Sequence, residues 1–258
     1  MSVDLEFDEK IAWIFLRDSD MNVLSYRLLK EIYGALLKAD EKSSAIVIST
    51  RTKNFCAGAD LRELKSLNFE KAIKWFESYL DVVRFLRSVG KPTIAAVRGF
   101  CVAGGNEIAM ACDLVIASKN AKFGQPEVRV GSTAMGLGVQ MLPLLIGEKK
   151  ARELLLTGRI IDAEEAYRIG LINKVVEDGE LEKTAKEVSL EIIENCSPQA
   201  FRVIKSGLNF WTQLAMVNYE VSRDLTSLIW LTSEFRDRCD EFLHKKKFNP
   251  RNFFGITH

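Results

Sequence analysis

Two glutamates lie near glycines in a pattern that could support proton transfer. Glu107 follows Gly104 by three residues, in the first turn of a predicted helix, and Glu127 follows the turn 123–126. A carboxylic acid and a carboxylate in one site can act as general acid and general base. Each residue also has a simpler interpretation, because a carboxylate complements a helix start and a loop glutamate is commonly solvated. Spacing alone leaves both interpretations open.

The histidines and cysteines exclude several other catalytic designs. Only His244 and His258 occur, both in the C-terminal tail, so a Ser-His-Asp, Cys-His or histidine-rich metal site would have to draw on that tail. The five cysteines are widely spaced without a C-x-x-C pair, which favours a reducing compartment over a disulfide framework or a zinc site. Acid–base chemistry in the body of the chain therefore falls to carboxylates, lysine, tyrosine or cysteine.

Two glycine-containing loops, 54–60 and 99–105, each follow a predicted strand. The first N–H groups of a helix have no internal partner, so Gly104 at the start of the helix that carries Glu107 could present one donor. Ala59 in the other loop could present a second. Two such donors from separate loops are the parts of an oxyanion hole.

No motif for a nucleotide, a redox cofactor or a metal is present in the sequence. The chain has no P-loop sequence, and the glycine pair in 136–138 continues to Met141, where a dinucleotide fingerprint needs its third glycine. These glycines are therefore interpreted as turn residues. With no cluster of metal ligands either, the sequence predicts a reaction that needs no cofactor.

Hydrophobic periodicity predicts an α/β fold with a helical C-terminal part. Strands are expected at Val3–Phe7, Ile11–Leu16, Ser44–Ser49, Thr93–Val97 and Asp113–Ser118. Helices are expected from a cap at Ser25 to about Asp40, near 69–89, at Asn106–Cys112, and almost continuously from Val139, with Ser197-Pro198 starting one of them. The chain is therefore divided into a core, 1–195, with the active site, and a helical region, 196–258, that packs on the core or on a neighbouring subunit.

Composition gives no sign of nucleic acid or membrane as a partner. The net charge of the 258 residues is +1 and the hydrophobic fraction is 47%, which is ordinary for a globular protein. The N-terminus lacks the basic and apolar regions of a signal peptide, and no apolar window reaches the roughly 18 residues of a membrane span. The sequence thus predicts a cytoplasmic protein.

Several motifs together resemble the crotonase, or enoyl-CoA hydratase/isomerase, superfamily over nearly the whole chain. They are Phe55–Asp60, Ala95–Gly99, Gly104-Gly105-x-Glu107, Cys112-Asp113, Phe123–Glu127 and Leu156–Ile160. The resemblance implies a crotonase-type spiral of ββα turns with a helical C-terminal part, assembled as a homotrimer or a dimer of trimers. It also implies that Ala59 and Gly104 hold the oxygen of an acyl-CoA thioester. Glu107 and Glu127 match the two acid–base residues of the enoyl-CoA hydratases.

Hydration chemistry agrees with that implication. Adding water to a C=C bond conjugated to a thioester builds enolate charge, and one preorganised N–H donor is typically worth about 3–4 kcal/mol. Positioned proton transfer supplies roughly 10²–10⁴-fold more. Two nearby carboxylates raise each other's proton affinity, whereas the helix dipole at Glu107 favours its charged form, so the residue that holds the proton stays open.

The sequence also departs from the hydratase pattern near the expected acyl site. Ala103 stands in place of a glycine, Asn106 in place of an apolar residue, Met135 in place of a glycine and Met141 in place of an arginine. Methionine is flexible and apolar, so a pocket for a branched or cyclic acyl group is expected, with Met135 and Asn106 as substrate-binding residues. Fainter resemblances give the alternative of a cyclic dienoyl-CoA hydratase or a ring-opening hydrolase of anaerobic aromatic degradation.

The C-terminal tail carries a basic cluster, 245–247, with Arg251. A solvated helix end would explain it, since cations are favoured there. The family resemblance instead implies that Lys245, Lys247 and Phe248, together with Phe253 and Phe254, contact the phosphates and adenine of CoA. An RNA-binding crotonase-fold protein is the non-enzymatic alternative, for which one lysine run in a near-neutral chain is thin support.

Overall fold

The chain alternates strands and helices up to residue 176 and then continues in helices; the computed structural model describes residues 2–217 and 219–251. The strands are β1 Val3–Asp8, β2 Ile11–Leu16, β3 Ala45–Thr50, β4 Thr93–Val97, β5 Phe100–Val102, β6 Leu114–Ser118, β7 Lys122–Gly124, β8 Ile160–Asp162 and β9 Lys174–Val176. The α-helices are α1 Tyr26–Lys42, α2 Leu61–Leu64, α3 Phe69–Ser88, α4 Gly104–Ala111, α5 Gly138–Ile146, α6 Glu148–Thr157, α7 Ala163–Arg168, α8 Leu181–Asn195, α9 Pro198–Ala215, α10 Tyr219–Ile229 and α11 Ser233–Leu243. Short 3₁₀ helices lie at Pro126–Val130 and Asp178–Glu180.

The larger sheet has six strands in the order β1-β2-β3-β4-β6-β9. The hairpin β1–β2 is antiparallel, and every later pair in this sheet is parallel. Strands β2, β3 and β4 are buried along their whole length, with helices over both faces. Strands covered on both faces read as continuous apolar runs, which is why the sequence predicted these elements within a residue or two.

The smaller sheet was missed by sequence analysis. It pairs β5 with β7 in parallel and β7 with β8 antiparallel. The prediction of a loop throughout 99–105 is wrong for β5, and the prediction of nearly continuous helix after Val139 is wrong for β8 and β9. Each of these strands has three residues, too few to display a two-residue alternation.

The long helices on the larger sheet agree with the sequence. Ser25 caps α1, its Oγ accepting the Leu28 N–H at 3.1 Å, and the helix buries one apolar face. Removing a leucine of such a face from water contributes about 1.5–3 kcal/mol. Helix α3 packs against both α1 and α4.

The C-terminal helices pack on the core without an intervening linker. The Lys205 ammonium on α9 is bonded to the Asp113 carboxylate at 2.7 Å and to the Lys91 carbonyl at 3.1 Å. Helix α10 packs on α3, and α11 packs on the 3₁₀ helix 126–130. Among the residues that the structure describes, no helix is long and apolar enough to cross a membrane. The division at residue 195 stays a prediction.

Candidate active site

Backbone hydrogen bonds join the two glycine loops. The Cys56 N–H donates to the Phe100 carbonyl at 2.9 Å, and the Val102 N–H donates to the Cys56 carbonyl at 3.0 Å. A Cβ on Gly105 would lie 2.3 Å from the Cys56 oxygen, so only glycine permits this approach. The loop that contains Ala59 and the start of α4 are therefore fixed against each other.

The two predicted donors lie where these loops meet. Within residues 2–217 and 219–251, no acceptor is recorded for the N–H groups of Ala59 and Gly104. A Cβ on Gly58 would lie 3.3 Å from the Gly104 nitrogen, which brings the residue before Ala59 into contact with the first residue of α4. Unpaired N–H groups at a helix start attract negative charge, so the placement suits a developing oxyanion.

Ala103 connects β5 to α4 in a strained conformation. Its φ of 53° and ψ of −132° lie in a region that L-residues rarely adopt. Its N–H donates to the Gly124 carbonyl at 2.9 Å, and its carbonyl accepts the Glu107 N–H at 3.1 Å. The glycine that the family pattern has at this position would adopt the same backbone without strain.

Glu107 is buried, 4% exposed, and three donors hold its carboxylate. Oε1 accepts the backbone N–H groups of Leu137 at 2.8 Å and Gly138 at 2.6 Å. Oε2 accepts the Tyr79 hydroxyl at 2.7 Å. Gly138 is the first residue of α5, so the positive end of a second helix is directed at this carboxylate.

Gly136 permits the close packing around Glu107. A Cβ at this position would lie 2.3 Å from Cε1 of Tyr79 and 2.9 Å from Oε2 of Glu107. A side chain here would displace either the phenol ring or the carboxylate. Of the glycine pair in 136–138 that the sequence analysis noted, Gly136 is therefore required for packing.

Glu127 has a different environment, although it is also buried at 8% exposure. It lies in the 3₁₀ helix that Pro126 begins, and its carbonyl accepts the Ser132 N–H at 2.9 Å. Its Oε2 is buried and has no hydrogen-bond partner in the part of the chain that the structure describes. The side-chain nitrogen and oxygen of the nearby Gln125 are likewise buried without a hydrogen-bond partner among the described residues.

The two carboxyl groups titrate as a pair whose members differ. Burial raises the pKa of Glu127 well above its usual value, and the charge of Glu107 raises it further. Burial also raises the pKa of Glu107, but the donors from Gly138, Tyr79 and Leu137 oppose the rise by stabilising its charged form. The surroundings therefore favour the proton on Glu127 and the charge on Glu107.

Asn106 and Met135, the predicted acyl-binding residues, flank this centre. Asn106 is buried in the first turn of α4, and its side chain makes no hydrogen bond to the residues described. Met135 is half-buried, directly before Gly136, and its carbonyl accepts the Gln140 amide at 3.2 Å. Both are next in sequence to residues of the centre, but no contact with Glu127 is recorded for either.

The described part of the basic tail, up to residue 251, has no recorded contact with the two glutamates. Lys245 and Lys247 are exposed, and Phe248 is half-buried with the Arg238 guanidinium 5.2 Å from its ring centre. An ion pair between Asp240 and Lys65 nevertheless fixes α11 beside α2, the helix that follows Ala59. Of the tail predictions, Phe253 and Phe254 lie outside the described residues.

Sequence analysis missed the residues that hold Glu107. Tyr79 lies among apolar residues on the buried face of α3, and Trp75 stacks on it at 5.9 Å between ring centres. Nothing in a helical apolar pattern distinguishes a core tyrosine from one that donates to a catalytic group. The pair Gly136 and Gly138 was noted only as turn glycines, although a glycine at a helix start is also a signal for an exposed N–H.

Comparisons with known proteins agree with the fold and the chemistry. Residues 6–251 match the family described as enoyl-CoA hydratase/isomerase. The chain is 38% identical to the short-chain-enoyl-CoA hydratase of Clostridium acetobutylicum, covering 95% of this chain and 96% of the relative. It is 36% identical to the crotonyl-CoA hydratase of Syntrophomonas wolfei, covering 96% and 97%. An enoyl-CoA hydratase/isomerase structure from Xanthobacter autotrophicus superposes with a TM-score of 0.85 at 28% identity, covering 95% of this chain and 93% of that one.

These findings confirm the predicted crotonase-type fold and the assignment as an enoyl-CoA hydratase. The chain belongs to the enoyl-CoA hydratase/isomerase family.

Proposed function

We propose that the enzyme adds water to the C2=C3 bond of a short 2-enoyl-CoA, with Ala59 and Gly104 as the oxyanion hole, Glu107 as the base and Glu127 as the acid. The observation that carries the proposal is the difference between the two carboxyl groups. The Glu107 carboxylate accepts three hydrogen bonds that favour its ionised form, whereas Glu127 has a buried, unpartnered oxygen, which favours its protonated form. Hydration needs one group of each kind.

The steps balance with these residues alone. Glu107 takes a proton from water, whose oxygen bonds to C3 while the C2=C3 electrons move toward the thioester oxygen. The N–H groups of Ala59 and Gly104 stabilise the resulting enolate. Glu127 then gives its proton to C2, and the enolate electrons form the new C–H bond. The centre resets when the proton on Glu107 passes to Glu127.

The direct test is incubation of the purified protein with crotonyl-CoA, the substrate that the Syntrophomonas wolfei relative is named for. We expect a product heavier by one water, with the hydroxyl group on C3. Recovery of unchanged crotonyl-CoA, or of an isomer of equal mass, would contradict the proposal.

The reaction is also expected to need no metal ion. Full activity should persist with a chelator, whereas loss on chelation and recovery with one metal would overturn this expectation.

The CoA part of the substrate is proposed to lie along the tail. The ion pair between Lys65 and Asp240 supports this, because it holds the end of α11 near the loop of Ala59. Lys245 and Lys247 follow within two turns and are exposed. Their combined replacement by glutamine should raise KM for crotonyl-CoA and leave KM for crotonyl-pantetheine unchanged, since pantetheine lacks the nucleotide phosphates. An equal change for both thioesters would refute this role.

A homotrimer or a dimer of trimers is proposed to form through the C-terminal helices. Helix α9 exposes apolar side chains at helical spacing: Val203, Ile204, Leu208, Trp211 and Leu214. A contiguous exposed apolar face of this kind marks an interaction surface. The molar mass in solution should therefore be that of three or six chains, and Leu208→Glu should lower it. A monomeric wild type would rule out the assembly.

A branched or cyclic acyl group is proposed to fit beside Met135 and Asn106. This proposal is supported by the positions of Met135 and Asn106, which are next in sequence to Gly136 and Glu107. Hydrophobic shape changes specificity by only about 1–3 kcal/mol per methylene-sized group, so we expect a preference and not strict exclusion. The test compares kcat/KM for crotonyl-CoA and a cyclic dienoyl-CoA. An advantage for crotonyl-CoA above roughly tenfold would remove the ring substrates.

A further inference from the structure

A cavity of about 230 Å³ lies between α3 and α9, and one of the residues that hold Glu107, Leu137, lines it. Its apolar wall includes Val83, Leu137, Met216 and Tyr219. Leu137 belongs to both the cavity and the active site, because it lines the cavity and its N–H donates to Oε1 of Glu107 at 2.8 Å. The cavity therefore lies one residue away from the proposed base.

The charged residues that line this cavity are cationic, beside neutral polar residues. Arg84 and Arg87 line it, and no aspartate or glutamate is among the lining residues that the structure describes. Arg84 already has partners, since it pairs with Glu77 at 3.3 Å and lies 4.3 Å from the Tyr219 ring centre. Its charge is balanced without a ligand.

Arg87 differs because no carboxylate of residues 2–217 or 219–251 is recorded as an ion-pair partner of its guanidinium. One of its nitrogens donates to the Thr212 hydroxyl at 2.7 Å, and its Nε is buried without a hydrogen-bond partner. Asp113 acts on its charge only from a distance and is itself bonded to Lys205 at 2.7 Å. A half-buried, unpaired guanidinium is costly unless an anion or a polar group satisfies it.

We propose that this cavity binds the distal end of the acyl group and that Arg87 recognises a carboxylate there. The substrate class is then the mono-CoA thioester of an unsaturated dicarboxylic acid, with the apolar wall on its methylenes and the guanidinium on its free carboxylate. This inference rests on the proposed hydratase function and adds its substrate class. Arg87 would contact the far end of the acyl chain, whereas Met135 and Asn106 are proposed to contact the part near the reacting carbons.

The experiment compares two substrates that differ only at the last carbon: 2-hexenoyl-CoA and its counterpart with a carboxylate in place of the terminal methyl group. We expect the wild type to favour the carboxylate by at least about tenfold in kcat/KM, because a charge-assisted pair forms only with that substrate. Arg87→Gln should lower this ratio by about the same factor. Arg87→Lys keeps the positive charge but lacks the planar guanidinium, so it should retain part of the preference for the carboxylate substrate.

Arg84→Gln is the matched control, since it removes a cation from the same cavity that already has a partner. Its substrate ratio should stay within about threefold of the wild type. A wild-type ratio near one or below it, or equal ratios in Arg87→Gln and wild type, would overturn the inference. Hydration of 2-hexenoyl-CoA separates the two proposals: if neither substrate gains water, the hydratase function itself fails.

Discussion

The phenol of Tyr79 donates to Oε2 of Glu107 at 2.7 Å, and the same hydroxyl lies 3.3 Å from the carbonyl oxygen of Gly104. One side chain of α3 thus contacts both the proposed base and a residue of the proposed oxyanion hole. Burial and the nearby carboxylate raise the pKa of Tyr79 well above its usual value, so the phenol keeps its proton and remains a donor. We infer that Tyr79 positions Glu107 and favours its ionised form.

Tyr79→Phe tests this role through pH dependence. A hydrogen bond to a charged carboxylate lowers its pKa, so losing the donor raises the pKa of Glu107. The ionised fraction of the base then falls at any given pH, and the acidic limb of kcat/KM should move to higher pH. At neutral pH we expect a loss of roughly tenfold.

Tyr33→Phe is the control, because the Tyr33 hydroxyl makes no hydrogen bond to the residues described and its ring packs edge-on against Phe85. It should leave both the rate and the pH profile unchanged. A lower rate in Tyr79→Phe with an unmoved acidic limb would reduce Tyr79 to a packing role.

Replacing either glutamate by glutamine should lower kcat by at least about 10²-fold while the fold survives. Glutamine has nearly the same shape, and in Glu127→Gln it resembles the neutral form that the site already favours. Circular dichroism and thermal unfolding check the fold beside the kinetics. Full activity in one variant would remove that residue from the mechanism.

Gly136→Ala should impair catalysis through a clash. The added Cβ would lie 2.3 Å from Tyr79 and 2.9 Å from the carboxylate of Glu107, so one of them must shift. A misplacement near 1 Å can cost roughly 10²-fold in rate. Gly34→Ala is the matched control, since nothing lies within 4 Å of its Cβ in α1. It should keep kcat and raise the free energy of unfolding by up to about 1 kcal/mol. Equal kcat in both variants would contradict the packing described.

Ala103→Gly should stabilise the protein. The left-handed conformation at φ 53° costs a non-glycine residue about 1–3 kcal/mol, and glycine relieves it. The greater freedom of glycine in the unfolded chain offsets about 0.4–1 kcal/mol of the gain. Chemical denaturation should therefore give a free energy of unfolding higher by about 1 kcal/mol. A lower value would mean that the Ala103 side chain contributes packing that outweighs its strain.

The sequence predicted the parts whose signal is local. Buried strands such as β3 read as apolar runs, Ser25 marks a helix start, and the glycines before Glu107 mark the start of α4. It could not predict β5, β7, β8 and β9, which are too short for periodicity to register. Nor could it say which glutamate holds the proton, because that depends on donors from α3 and the start of α5, which only the fold brings to Glu107.

The central claim is the division of labour, in which Glu127 handles the proton at C2 and Glu107 handles the water. Exchange of the C2 hydrogen of butyryl-CoA in heavy water tests it most directly, since a saturated thioester needs the oxyanion hole and the ionised form of Glu127 but no attacking water. Glu127 has that form when it has given up its proton, as it does in each turnover before the centre resets. We expect the wild type to incorporate deuterium at C2. Glu107→Gln should keep this exchange within roughly tenfold while failing to hydrate crotonyl-CoA, and Glu127→Gln should lose both. Deuterium incorporation by Glu127→Gln at the wild-type rate would contradict the account.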